Sequence, residues 1–222
     1  MSWRRTWIFL VAVFAVTGSG CADAVVGTPT WRGARLEQAM LTAADFPPGV
    51  QYDRLVEDPG QPDGRGGPPA MPSRPQGCSD GLTRVISASA ERGPGSAEKY
   101  VVAYDEARIV MTVLSWKLDL EGLAAVADRC AAYETFFDPT TPGIPVTTTQ
   151  LETTRGRALA YEQSMQLGAT RSSVYFSFEN VGDSAVFGMA FPTPDPSITV
   201  KGTLPQTFLE IAAKQAQRLE PR

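Results

Sequence analysis

The sequence predicts an α+β fold: an antiparallel sheet of about five to six strands, helices packed on one face, and one disulfide. Three observations predict it. Two β-rich runs, 99–104 and 108–118, are separated only by Asp105-Glu106-Ala107, which makes a hairpin. Four further strand candidates follow between residues 146 and 191, joined by turns too short for parallel crossovers. Segments of helical spacing are interleaved with the hairpin and close the chain, without the regular βαβ alternation of a parallel sheet.

The elements follow in order. Leu36, Ala39, Met40 and Ala43 recur at helical spacing. Thr42 and Asp45 then have capping-box spacing for a new short turn, ended by Pro47-Pro48-Gly49. Residues 57–77 are rich in Pro and Gly without period and read as a long solvated loop. Their prolines and arginines leave a polyproline-binding partner as the alternative use. Ser79 or Asp80 caps a helix with Leu82, Val85 and Ile86 on one face. After the hairpin, Asp119 caps a helix carrying Leu123, Val126, Ala127, Cys130 and Tyr133 at three- and four-residue steps. The run DPTTPGIP breaks the chain before strands at 146–153, 158–167, 172–179 and 184–191. Thr203 and Gln206 form a capping box for a last helix whose stripe is Leu204, Phe208, Ile211, Ala212 and Leu219. In SVYFSFEN, Val174, Phe176 and Phe178 point one way, and Ser173, Tyr175, Ser177 and Glu179 the other. One sheet face is therefore expected to be core, and the other solvated or lining a groove.

The chain has 222 residues, 43% hydrophobic and 20% charged, enough for one well-buried domain. Its first twenty residues read as an address. Arg4 and Arg5 form a positive region, residues 7–16 are uninterruptedly apolar, and Thr17 to Gly20 are small. That apolar run is shorter than the roughly 20 residues a membrane-spanning helix needs. Gly18-Ser19-Gly20-Cys21 resembles the lipobox of bacterial lipoproteins, departing from it at Gly18, where an aliphatic residue is commonest. Residues 1–20 are thus expected to be a lipoprotein signal peptide, removed after diacylation of Cys21. Arg4-Arg5 hints at twin-arginine export, although Thr6-Trp7-Ile8 fits that pattern poorly. Residues 21–33 read as a flexible tether, and 34–222 as one domain held on the outer face of the cell membrane by its acylated cysteine. The formal charge of −4 becomes −6 once Arg4 and Arg5 are removed, and no basic cluster appears, which argues against nucleic acid as a partner.

Export into an oxidising compartment leaves Cys78 and Cys130 to pair with each other. The alternatives are a zinc site or a reactive thiol, but the chain has no histidine and no Cys-x-x-Cys. The same lack of histidine removes Ser-His-Asp and Cys-His hydrolases, and no cofactor or metal is expected. Gly64 to Gly67 lacks the strand, helix and lysine of a phosphate loop. Paired carboxylates remain open, with Glu162 and Glu179 on neighbouring strands as the pair to test for a glycan hydrolase. Tyr175, Glu162 and Glu179 are otherwise candidates for contact with a ligand. Trp31, Trp116 and Tyr104 read as core or rim aromatics.

LTAADFPPGV is similar to an opening found in exported mycobacterial-type lipoproteins. It is followed by a Cys at a helix start, a Tyr-rich strand pair and a helix with a second Cys. That order resembles the extracellular sensor domain of mycobacterial serine/threonine kinase H and its free-standing lipoprotein relatives, over roughly residues 35–220. The resemblance implies an antiparallel sheet with flanking helices, disulfides and a cleft for an unidentified small-molecule or protein ligand of the cell envelope. This chain departs from it in having cysteines for one disulfide rather than two, and no kinase. The expectation is a non-catalytic, sensor-like binding domain, with a structural or assembly factor as the alternative.

Overall fold

Among the described residues nine strands pair into one sheet, in the order β1-β3-β4-β9-β8-β7-β6-β5-β2 with every neighbour antiparallel. The computed structural model describes residues 32–55, 71–89, 93, 95–138 and 140–220. Cys21, the signal peptide, Trp31, most of the tether and the phosphate-loop test at Gly64 to Gly67 lie outside these residues. The strands are β1 (Gln51–Leu55), β2 (Ser73–Arg74), β3 (Ala97–Tyr104), β4 (Ala107–Leu114), β5 (Ala132–Thr135), β6 (Ile144–Gln150), β7 (Leu159–Leu167), β8 (Thr170–Val181) and β9 (Ser184–Phe191). The helices are α1 (Arg32–Ala39), α2 (Gly81–Ser89), α3 (Leu120–Arg129) and α4 (Gln206–Leu219), with a 3-10 turn at Ala43–Asp45. The expected α+β class holds, but the sheet is larger than the expected five to six strands. The three additional strands, β1, β2 and β5, have five residues or fewer.

The expected hairpin forms, turning at Asp105 and Glu106, the latter with φ 73°. Gly168 and Gly182 take positive φ in the β7–β8 and β8–β9 turns, a conformation that glycine adopts without steric cost. These tight turns set the register of the meander, so that Glu162 lies opposite Tyr175 and Tyr175 opposite Ala190.

Helices cover both faces of the sheet, not one. On the first face, Tyr100, Val102, Ile109, Met111, Val186 and Ala190 pack against Leu36 and Met40 of the α1 region and Phe208, Ile211 and Ala212 of α4. On the second, Leu114, Tyr161, Phe178 and Ala185 pack against Leu82 of α2 and Leu123 and Ala127 of α3. There Phe178 stacks on Phe176 and Phe187, with ring centroids 6.4 and 5.3 Å apart. The alternating pattern of β8 is therefore not core against solvent: Tyr175, Ser177 and Glu179 are buried on the α4 side.

Local caps decide where the helices stop. The Asp119 carboxylate accepts the Gly122 N–H at 2.8 Å and starts α3, as its sequence position suggests. The helix ends at Arg129, earlier than its apolar spacing implies, because Tyr133 is on β5 opposite Val146. Cys130, which caps α3, bonds to Cys78 across a Cα–Cα distance of 5.5 Å, and both residues are buried. The bond ties α3 to the segment between β2 and α2, and Arg129 Nη1 donates to Gln76 O beside it at 3.3 Å. The capping box expected at Thr203 does not form. Its N–H instead donates to Thr207 Oγ1 at 2.9 Å, and Pro205 precedes α4. The turn at Thr42 does form, with its N–H donating to the Asp45 carboxylate at 2.8 Å. Gln215 of α4, fully buried, accepts the Leu41 N–H at 3.0 Å and donates to Ala39 O at 2.8 Å, joining α1 to α4.

Candidate functional site

The first sheet face divides in two. Under α1 and α4 it is core. Beyond α4, over β6, β7 and the start of β8, it is polar, and Thr147, Thr149, Gln166 and Arg171 are exposed. Here the register places Ser164 beside Ser173 and Gln166 beside Arg171. Glu162 Oε1 accepts from Ser164 Oγ at 2.9 Å and from Ser173 Oγ at 2.7 Å. Arg171 Nη2 donates to Ser164 Oγ at 2.8 Å and lies 3.8 Å from Glu162 Oε1. Each side chain is thus held by its neighbours before anything binds.

Tyr175 stands at the boundary between the two halves, packed into the core cluster and opposite Glu162. Burial pushes its phenol above the ordinary value, and the Glu162 charge pushes the same way, while Ser173 and Arg171 pull it down. The phenol therefore stays neutral and can act as a hydrogen-bonding group. Of the three candidate residues, Tyr175 and Glu162 come together.

Glu179 lies elsewhere on the same face. It is four residues along β8 from Tyr175, roughly 13 Å at the usual strand rise. Glu162 is held by Ser164 and Ser173, and Glu179 by Arg155 and Arg157, so the two carboxylates have separate partners, and of the two only Glu179 lines a cleft. Glu179 is 3% exposed and carries its own partners. Arg155 Nε reaches both of its oxygens at 2.8 Å, Arg155 Nη2 lies 2.8 Å from Oε1, and Arg157 Nε donates to Oε1 at 2.8 Å. Both guanidiniums also meet Glu220 Oε1, at 2.7 Å from Arg155 Nη2, which is shared with Glu179, and in a closer contact from Arg157 Nη2. The hydrogen bond from Arg155 first, with the Arg155 charge and the hydrogen bond and charge of Arg157, holds the Glu220 carboxyl below its ordinary value despite an opposing desolvation.

Arg155 and Glu179 also line a small cleft between the 153–158 segment, β8 and α4. Its walls include Thr153, Arg155, Ser177 and Glu179 on the sheet side and Leu209 and Ala212 on the helix side. Its volume is about 10 Å³, near the minimum that holds one water. Sequence reasoning missed Arg155, Arg157 and Glu220. The only signal was two arginines two residues apart in a turn, and the partner carboxylate on α4's end is 63 positions away from Arg157.

Among the described residues, no three His, Cys, Asp or Glu side chains converge as a metal set, and no helix is long and apolar enough to cross a membrane. The fold and site define an α+β domain with a nine-stranded antiparallel sheet, helices on both faces, one buried disulfide and two preformed polar clusters on one face. No protein-family model matches the chain, and no curated protein matches it in sequence.

Among solved structures it is similar to an uncharacterized protein of Mycobacterium smegmatis, an Rv0999 ortholog, with a TM-score of 0.51 and 14% identity. That match covers 84% of this chain and 96% of the other. It is also similar to the extracellular domain of PknH from Mycobacterium tuberculosis, at a TM-score of 0.48 and 10% identity over 86% of this chain and 97% of that one. A STAR-related lipid transfer protein of Xanthomonas axonopodis follows at a TM-score of 0.31 and 12% identity, over 60% of this chain and 95% of its own. The first likeness shows a shared fold; the second and third carry no argument at these scores.

Proposed function

We propose that the protein is a membrane-anchored cell-envelope lipoprotein whose folded domain binds a ligand or partner without covalent chemistry. Anchoring rests on the sequence: Arg4-Arg5, the apolar run at 7–16, and Gly18-Ser19-Gly20 before Cys21. The buried Cys78–Cys130 bond supports folding in an oxidising compartment. The binding reading is carried by the Glu162–Ser164–Ser173–Arg171 cluster, preorganised beside Tyr175 on a sheet surface that none of the described helices covers. Preorganised polar groups of this kind lose little rotamer freedom when a ligand arrives. Glu179 enters differently, as the group that orients Arg155 and Arg157.

A second reading, docking onto another envelope protein, is favoured by exposed apolar side chains near one end of the sheet. Phe137 is 72% exposed, and Met165 and Leu167 are exposed at the end of β7.

Native mass spectrometry of protein purified from its own membrane tests binding. A bound species lost from Glu162→Gln and Arg171→Gln variants is the expected result, and a bound species indifferent to both variants rules out this surface. Cys21→Ala is expected to release the protein from the membrane and remove the lipid mass; unchanged mass and association would refute the anchor.

A further inference from the structure

We propose that Arg155 and Arg157 form a binding site for a carboxylate ligand, and that Glu220 of the same chain occupies it in this structure. The site lies well away from the Glu162 cluster and does not depend on the anchor, so it stands or fails separately from the function proposed above.

The two carboxylates on the arginines are not equivalent. Glu179 is 4% exposed at its side chain, sits inside the sheet and binds Arg155 through both oxygens. It is a fixed wall that sets the plane of that guanidinium. Glu220 is 38% exposed, lies just past the last helical residue of α4 in extended backbone, and meets both arginines through one oxygen, Oε1. Among the described residues its Oε2 has no partner. An arginine pair that can grip two oxygens is therefore gripping one. A free carboxylate, unconstrained by α4, can present both.

Charge points the same way. Arg155, Arg157 and Glu179 together leave one positive charge, so the site is neutral only while a single anion fills the Glu220 position. The adjoining cleft, lined in part by Thr153, Ser177, Leu209 and Ala212, has room for about one water, so the ligand's polar contacts come from the two guanidiniums. Glu220 is tethered, so it competes at the high effective concentration of an intramolecular group.

Titration of the purified protein with glutarate, a free dicarboxylate with the reach of a glutamate side chain, tests the site. Glu220→Gln is expected to lower the half-saturating glutarate concentration by about tenfold or more, because the internal competitor is gone. Adding Arg157→Gln to that variant is expected to abolish the gain. Both substituted side chains are substantially exposed, at 38% and 57%, and a circular dichroism melt checks that each variant is folded. In the wild type, saturating glutarate is expected to speed hydrogen exchange at residues 217–220 as Glu220 is displaced. Equal glutarate binding by wild type and Glu220→Gln would overturn the proposal. So would binding that survives Arg157→Gln, or binding by inorganic phosphate in place of glutarate.

Discussion

Replacing Arg155 by Met isolates the energetic role of the Glu179 site. Arg155 provides three of the four short contacts to a carboxylate that is 3% exposed, and Arg157 provides the other from a largely exposed side chain. Breaking a buried pair by removing one partner costs about 3–5 kcal/mol, because the remaining charge is left desolvated. With Arg157 still present, the lower end applies, about 3 kcal/mol. Set against a total of about 5–15 kcal/mol, that is a large fraction. For a chain of this length it is a fall in Tm of roughly 6–12 °C. The double variant Arg155→Met/Glu179→Met removes both charges and fills the space with apolar atoms, so it should return to within about 1 kcal/mol of wild type. Arg157→Gln, which removes an exposed partner, should shift Tm far less than Arg155→Met. The assay is urea unfolding of the oxidised protein followed by circular dichroism, with the m-value checked for constancy. An Arg155→Met variant as stable as wild type would refute the reasoning, as would a double variant no better than the single one.

Four other outcomes follow from the packing. Gln215→Leu leaves the Leu41 N–H and the Ala39 carbonyl without their buried partner and should cost about 2–4 kcal/mol in the same unfolding assay. Reducing the Cys78–Cys130 bond, or replacing both cysteines by Ser, should cost on the order of 4 kcal/mol for a 52-residue separation, read as a lower Tm. Gly188→Ala places a Cβ 2.8 Å from Met111 Sδ and Phe208 Cε2, so it should destabilise by about 1–3 kcal/mol in thermal melts. At Asp45, burial raises the carboxyl, but hydrogen bonds from Thr42 and the charges of Arg218 and Lys214 outweigh it and hold the group below its ordinary 3.8. A carboxyl depressed by folding stabilises above about pH 4 and loses that contribution as pH falls through its folded value, so Asp45→Asn should show a smaller drop in Tm between about pH 5 and pH 3 than wild type.

The elements legible in the sequence are those whose own residues determine them. The hairpin at Asp105 and Glu106, the meander of β7, β8 and β9, the Asp119 cap and the stripe of α4 all rest on local spacing or turn chemistry. β1 was not legible because QYDRL is polar and exposes four of its five residues; its pairing with β3 comes from the sheet edge it completes. β5 was hidden inside a plausible helix extension, since Tyr133 satisfies helical spacing as well as it satisfies the strand position opposite Val146. The helix over the polar-looking side of β8, α4 on the first face, misled for a related reason. Alternation in β8 distinguishes two faces, but it does not say whether a helix 30 residues downstream covers the polar-looking one. In the site, the sequence put Glu162 and Glu179 on neighbouring strands, as they are, but not the β7–β8 register that sets Glu162 opposite Tyr175 instead. The Arg155–Arg157–Glu220 group was not legible, because it depends on where the end of α4 lands.

That landing also explains why one sheet face holds two different kinds of polar group. β8 runs from the open surface at Ser173, past the boundary at Tyr175, to Glu179 beneath α4. On the open side, polar groups face water and are held by neutral hydroxyls and one exposed arginine, so a ligand there displaces solvent. On the covered side, a carboxylate under a helix must be neutralised, and among the described residues the cations paired with it come from the 153–158 turn. Two arginines over-neutralise one glutamate. The surplus positive charge is what draws Glu220 from the end of α4, so the same imbalance that makes Glu179 tolerable in the core makes the Glu220 position an anion site.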